Sequence, residues 1–292
     1  MFAIVGAAGN VGYSTSLALR EAGVPVRAIL RDKAKAARLR EIGCEIVLAD
    51  VQDSGALAKS IADVDAVQII LPVPLQAKDP GGEMQRAIGS IAVALERARP
   101  RRVLAISDYG AHVANDIGMP TMFRTFEERL GRLNAHKMFL RSAEHMQNWE
   151  RVIPVAIASG NLPSFHDPVD MVFPTISAPD LGQIAANLLL RPDIGRELEV
   201  IHAEGPCRYS ASDVATALSQ LSGRAVRAHA VPRPQWKETF ERSMPASLAG
   251  LLIKFYDACN KGSLVDIEPN NGEVRYGTTE LIDALRPLPP PQ

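Results

Sequence analysis

Apolar residues come in short uninterrupted runs through the first two thirds of the chain, separated by longer segments that carry charge on one side only. Residues 2–5, 26–30, 45–48, 66–71, 103–106 and 138–141 are nearly all apolar, the pattern of strands in a parallel sheet that is covered on both faces. Between them, segments 33–42, 55–61 and 84–97 have helical length and a charged face, as surface crossover helices do. Right-handed crossovers between such strands give a doubly wound sheet. The fold class expected is α/β, a Rossmann-type doubly wound parallel sheet with a smaller C-terminal α/β lobe.

After Pro154 the texture changes. The stretch "ASGNLPSFHDPVDMVFPTISAPDLG" is rich in Gly, Pro and Asp and reads as loop, with one short strand near 171–176. Asp180 is the expected cap of a helix over 181–190, and 199–202 a strand that returns to the sheet as its last member. From Gly205 onward, Ser210 is an N-cap candidate, 226–231 a strand, and 235–242 and 248–260 helices. This portion looks too small for a core of its own. The organisation expected is a dinucleotide-binding domain over 1–160, completed by about 178–203, a small acceptor-side lobe over 204–286 and a disordered or polyproline tail at 287–292.

Chemistry enters at the first strand. "FAIVGAAGNVG" sets Gly6, Gly9 and Gly12 directly after strand 2–5, with a helix opening near Asn10. Gly6 permits the tight turn, Gly9 lets the backbone approach a pyrophosphate, and Gly12 lets the helix lie close on the strand. Free N–H groups of Asn10 and Val11 at the helix start suit phosphate. Val11, Ala18, Leu19 and Ala22 recur at helical spacing and give that helix a face to pack on the sheet. At the end of the second strand stand Arg31 and, one helical turn later, Lys35, two cations that favour the 2′-phosphate of NADP. Asp32 lies about 20 residues past the last glycine, where an acid would bind the ribose of NAD. NADP is the cofactor expected and NAD the less favoured alternative.

Charge and composition narrow the partners. With 32 Lys and Arg against 33 Asp and Glu, no net field draws the chain to nucleic acid or anionic lipid, so a small molecule is the expected partner. The basic run Arg97, Arg99, Arg101 and Arg102 suits a helix C-terminus. Cys44, Cys207 and Cys259 are far apart and without metal spacing, which fits a reducing cytoplasm and no disulfide framework. No apolar stretch reaches the roughly 20 residues of a membrane span. The six histidines are scattered, with no metal site expected, and no G-x-S-x-G elbow is present.

With "IVGAAGNVG", "VRAILRD" and Lys35, "GCEIVLADVQD", "FLRSAEHMQNW", "ISAPDLG" and "EGPCRYSASDVATALSQLSGRAV", the chain resembles the NmrA-like family of atypical short-chain dehydrogenase/reductases over most of its length. That family includes quinone reductases and redox sensors. The resemblance implies that Asp50 and Val51 border the adenine, that Ile70, Leu71 and Pro72 line the nicotinamide half, and that Ser107 lies near the nicotinamide. For Asp50, a turn or capping role is the alternative.

The larger superfamily carries a Tyr with a Lys four residues later, the Lys lowering the phenol pKa. Four residues past Tyr13, Tyr109, Tyr209, Tyr256 and Tyr276 come Leu17, Val113, Asp213, Asn260 and Glu280, so the pair is absent. The corresponding helix position falls on Phe123 or Arg124, and Lys137 reads as a surface lysine opening a strand. Tyr109, His145, Met146 and Trp149 follow strand ends and are candidates for an acceptor pocket, with core packing the alternative for Met146 and Trp149. The function expected is direct hydride reduction of a small hydrophobic quinone or carbonyl by NADPH, without a Tyr/Lys dyad. The alternatives are a non-catalytic NADP(H) sensor with a protein partner, and an isomerase or epimerase using bound NAD(P).

Overall fold

Most of the apolar runs form strands buried from both sides; the run at 45–48 is the exception, exposed at both of its ends. The computed structural model describes residues 1–75, 77–192, 195–262 and 264–286; the tail expected at 287–292 lies outside them. The strands are β1 (Phe2–Val5), β2 (Val26–Leu30), β3 (Glu45–Leu48), β4 (Ala66–Ile70), β5 (Arg102–Asp108), β6 (His136–Ser142), β7 (Glu144–His145), β8 (Asn161–Ser164), β9 (Thr175–Ile176), β10 (Leu198–Glu204), β11 (Arg227–Ala230) and β12 (Glu273–Tyr276). The helices are α1 (Asn10–Glu21), α2 (Ala37–Glu41), α3 (Ser54–Ser60), α4 (Pro80–Ala98), α5 (Met119–Leu130), α6 (Ile153–Ser159), α7 (Ala178–Leu190), α8 (Ala211–Ser222), α9 (Trp236–Glu241), α10 (Ala246–Asn260) and α11 (Leu281–Ala284).

Eight of the strands make one sheet in the order β12-β10-β6-β5-β4-β1-β2-β3, every pair parallel. The doubly wound α/β fold read from the sequence is therefore the fold adopted. One apolar layer, with Ile4, Leu30, Leu104, Leu140 and Ile201, packs beneath α1 and α7. The other, with Val5, Ile69, Val103 and Phe139, packs beneath α3, α4 and α5. From β1 the chain winds outward to β2 and β3, and from β4 outward the other way. The crevice between β1 and β4 is thus the switch point where open sheets bind ligands.

Several expectations need correction. The edge of the sheet is β12, not the strand at β10, because residues 273–276 cross back to pair with 201–204. The strand foreseen near 171–176 is confined to Thr175–Ile176, and segment 33–42 divides into a 3-10 turn, Lys33–Ala36, followed by α2. Ser177, not Asp180, sits at the N-cap of α7; the Asp180 carboxylate instead accepts hydrogen bonds from the Thr278 and Thr279 amides, tying the C-terminal segment to this helix. Lys137 is not on the surface. It is 1% exposed, with Nζ donating to the Leu133 carbonyl and to Glu197. Ser210 does cap α8, in a capping box with Asp213.

The later part of the chain has apolar clusters of its own, contrary to expectation. One joins Trp149, Ala156, Leu162, Val214, Leu218 and Leu281, so the lobe draws on residues near 146–173 as well as 205–285. A second gathers Phe165, Trp236, Phe240 and Tyr256 around α9 and α10. Helix α10 then leans on α4 and α5, above the C-terminal ends of the strands.

Helices α1 and α7 meet at Gly182, where a Cβ would stand 2.6 Å from the Val11 carbonyl oxygen and 2.6 Å from the Ser14 Cβ. In α4, a Cβ at Gly89 would meet nothing within 4 Å. The same substitution should therefore have opposite signs in denaturant unfolding. Gly182→Ala destabilises by about 1–3 kcal/mol through overpacking, whereas Gly89→Ala stabilises by about 0.5–1 kcal/mol through helix propensity.

Candidate active site

At the end of β1 the backbone turns through Gly6 at φ +85°, a conformation that a side chain would strain, and a Cβ there would also press on Ile70 at 3.1 Å. The chain then enters α1, which has no side chain capping its N-terminus. The first amides of a helix have no partner within it. Asn10, Val11 and Gly12, which carry these amides, line a cavity of about 330 Å³ together with Gly6 and Gly9. A Cβ at Gly12 would lie 2.4 Å from the Gly6 oxygen and 2.7 Å from the Ala7 Cα, whereas one at Gly9 would have only the Gly6 oxygen at 3.7 Å. Gly12 thus serves packing, while Gly9 leaves its outer side bare. The corner fits a diphosphate: uncapped amides, a positive helix end and no side chain in the way.

A second cavity, of about 280 Å³, continues from this corner over the ends of β2 and β3, bordered by Arg31, Asp32, Lys35, Asp50, Val51, Ile70 and Pro72. Asp32 caps the turn that follows β2, its carboxylate accepting from the Ala34 amide at 2.9 Å. Asp50 likewise accepts from the Gln52 amide at 2.9 Å. Arg31 and Lys35 are exposed at the cavity's edge. Sequence reading missed Arg38, which donates to the Ala8 carbonyl at 2.6 Å and stacks on Tyr13 with its guanidinium carbon 4.2 Å from the ring centre. Its place one turn after Lys35 on the same helical path was the available signal.

The third cavity, of about 270 Å³, opens on the other side of Ile70. Leu71, Ile106, Ser107, Asp108, Glu144, His145 and Asn148 form its floor and side, and Met119, Phe123, Leu252, Phe255 and Tyr256 the apolar remainder. Ile70 lines all three cavities, so they form one trough along the strand ends, basic at one end and apolar with two carboxyl groups at the other.

Of the four pocket candidates, His145 alone faces this cleft. Tyr109 is 1% exposed and its hydroxyl donates to Glu204 at 3.1 Å, on the wall of an adjoining cavity. Burial, then the Glu204 charge, raises its pKa. Met146 and Trp149 are buried in the lobe's apolar cluster, the packing alternative. Among the helix positions, Phe123 lines the cleft, while Arg124 is tied to the Val113 and Ala114 carbonyls.

The floor is rigid. Ser107 Oγ donates to Glu127 at 2.6 Å, and Arg141 grips the same carboxylate through Nε at 2.9 Å and a terminal nitrogen at 2.7 Å, then reaches Glu268 at 2.6 Å. Burial works against the Arg141 charge, but the bonds to Glu127 and Glu268 outweigh it and raise its pKa. Severing such a buried pair costs about 3–5 kcal/mol. Burial lowers the pKa of His145 and raises that of Tyr256, keeping both neutral at pH 7. Burial, with the Glu144 charge second, pushes Asp108 up to about 8. Neither Asp108, Glu144, Asn148 nor Tyr256 was foreseen as a site residue.

Residues 6–154, half of the chain, match the model of a family described as NAD(P)H-binding. The chain belongs to that family. It is 27% identical to the NAD(P)H azoreductase of Xenophilus azovorans over 259 residues, covering 88% of this chain and 86% of the relative. Among solved structures, the NADPH-dependent quinone oxidoreductase QOR2 of Escherichia coli, complexed with NADPH, superposes with a TM-score of 0.79 at 21% identity over 97% of this chain and 98% of that one. The triphenylmethane reductase of Citrobacter sp., complexed with NADP(H), gives 0.79 at 19% identity over 98% and 99%. At these identities the structures carry the fold, which NmrA also shares. The NmrA-like resemblance read from the sequence agrees with both findings.

The two glycines should separate in experiment. Gly9→Ala folds with wild-type stability but binds NADPH about tenfold more weakly or worse, since an amide-to-phosphate bond is worth about 1.5–3 kcal/mol. Gly12→Ala loses about 1–3 kcal/mol of stability by overpacking. Calorimetric titration and thermal unfolding of both variants check this.

Proposed function

We propose that the chain is an NADPH-dependent oxidoreductase that reduces a small hydrophobic acceptor, a quinone or a carbonyl or azo compound of similar shape. The observation that carries this reading is the continuity of the trough through Ile70, from amides and cations at one end to an apolar cleft at the other. When bound, the nicotinamide cofactor supplies a hydride.

The residues of the chain do the rest. Gly6, Gly9, Asn10, Val11 and Gly12 receive the diphosphate at the start of α1. Asp50 and Val51 border the adenine, while Arg31 and Lys35, with Arg38 nearby, offer positive charge for a 2′-phosphate. Asp32 is already engaged in its cap, which supports NADP over NAD. Ile70, Leu71, Pro72 and Ser107 position the nicotinamide end against the cleft. Phe123, Leu252, Phe255 and Tyr256 exclude water and hold a flat apolar acceptor, so alignment is the protein's main contribution. The reductase names of the azoreductase relative and of the two superposed enzymes support the same class of reaction.

Loss of NADPH absorbance across a panel of quinones, azo compounds and aldehydes tests the activity, and binding without any turnover would overturn it in favour of a sensor. Arg31→Glu tests cofactor choice. It should weaken NADPH binding by about tenfold or more, the worth of one charge-assisted phosphate contact, while changing NADH binding little, and so invert the preference.

A further inference from the structure

The reduction proposed above needs a proton as well as a hydride, and no tyrosine of the chain has a lysine four residues later to help provide it. Among the described residues, four titratable side chains line the acceptor cleft: Asp108, Glu144, His145 and Tyr256. Ser107 is no substitute, since its hydroxyl proton is committed to Glu127.

We propose that Asp108 is the general acid, placed at the C-terminal end of β5 so that its carboxyl proton reaches the atom of the acceptor that becomes negative when hydride arrives. This rests on the reductase reading. For a quinone, the acceptor takes the hydride from the dihydronicotinamide of NADPH, whose C–H bond breaks, and NADP⁺ is left. The acceptor oxygen, now carrying an electron pair and a negative charge, forms an O–H bond as the Asp108 O–H bond breaks. The product is the hydroquinone, and the Asp108 carboxylate regains a proton from water.

The surroundings of Asp108 favour this role over its neighbours. Glu144 and His145 of β7 share the cleft with it. Glu144 is already held by His166 Nε2 at 3.2 Å, and His166 is stacked on Phe173. His145 is neutral, so it has no labile second proton. From α10 come Tyr256, whose phenol holds its proton tightly, and the half-buried Cys259, whose thiol is raised by the same cause. From α5, Glu127 is paired with Arg141. Farther along the adjoining cavity, Arg208 and Asp266 pair with each other at 2.7 Å. Among the described residues, no cation pairs with Asp108. Burial is the first cause that favours its neutral form and the Glu144 charge the second, with Glu127 adding a smaller share against one hydrogen bond from the Tyr109 backbone, and it stays half-buried beside the cleft.

Asp108→Asn, which keeps shape and loses the acid, tests this. Wild-type kcat for quinone reduction should fall as pH rises through about 8, the value to which Asp108 is raised. The variant should lose about 100-fold in kcat and show no such limb, with NADPH affinity unchanged. A second readout needs no turnover. Folded Asp108 keeps its proton up to about pH 8, whereas the unfolded chain releases it near pH ~4. Its contribution to stability therefore declines as pH rises between these values. The melting temperature of the Asn variant should gain on wild type across that window. A gap that does not change with pH overturns the proposal, as does a variant with wild-type kcat and pH profile, the reductase reading then standing. A wild-type protein that binds NADPH but reduces no acceptor overturns the reading and this proposal together.

Discussion

The approach of α1 to the glycine turn is the constraint on which the rest of the structure depends. Gly12 brings the helix so near the turn that the space for a Cβ is taken by the Gly6 oxygen and the Ala7 Cα. That contact fixes the direction in which the first amides of α1 point. Gly182 lets α7, which packs on the same face of the sheet, press against the flank of α1, so the helix is held by both the sheet and α7. Gly6, held at positive φ against Ile70, carries the same constraint to the end of β4. The corner that offers amides to a diphosphate and the residue that joins all three cavities are consequently one mechanical unit.

The strands that were legible in the sequence are those whose runs are apolar throughout. In β1, β2 and β4, and in the centres of β5 and β6 over Val103–Ile106 and Met138–Leu140, burial on both faces selects apolar residues at nearly every position. The edge strand β12, "EVRY", has no such requirement; it is half-exposed and its pairing with β10 is set by chain return over some seventy residues. Strands β7 and β9 are two residues each and are defined by contact with one another rather than by pattern. Lys137 was misread for a related reason. Its position in β6 demands burial, and an amphipathic side chain met that demand by turning its nitrogen to the Leu133 carbonyl and Glu197.

The site divides along the same line. Its basic end was readable because Gly6, Gly9, Gly12, Arg31 and Lys35 fall within one βα unit and the start of the next, where spacing along the chain translates directly into place. The apolar end is assembled from β4, β5, β7, α5 and α10, whose residues span more than a hundred positions of the chain. No local period links Asp108 to Tyr256. Tyr109 illustrates the limit: it was placed correctly at the end of β5, yet one residue decides the face, and its hydroxyl goes to Glu204 while Asp108 lines the cleft.

The polar groups of the floor are arranged in opposite ways at adjacent residues of one strand. Ser107 is locked to Glu127, Arg141 and Glu268, a network in which each charge meets its opposite and none is free to move a proton. Asp108 has no opposite charge paired with it among the described residues, only a hydrogen bond from the Tyr109 backbone, and lies beside Glu144. In a low-dielectric setting the first arrangement fixes geometry, because breaking it strands a buried charge. The second leaves a carboxyl group whose ionisation is costly and whose proton is correspondingly available. A strand end that is anchored at one residue and protonated at the next can hold a proton donor at a constant position, which is what transfer to a bound acceptor requires.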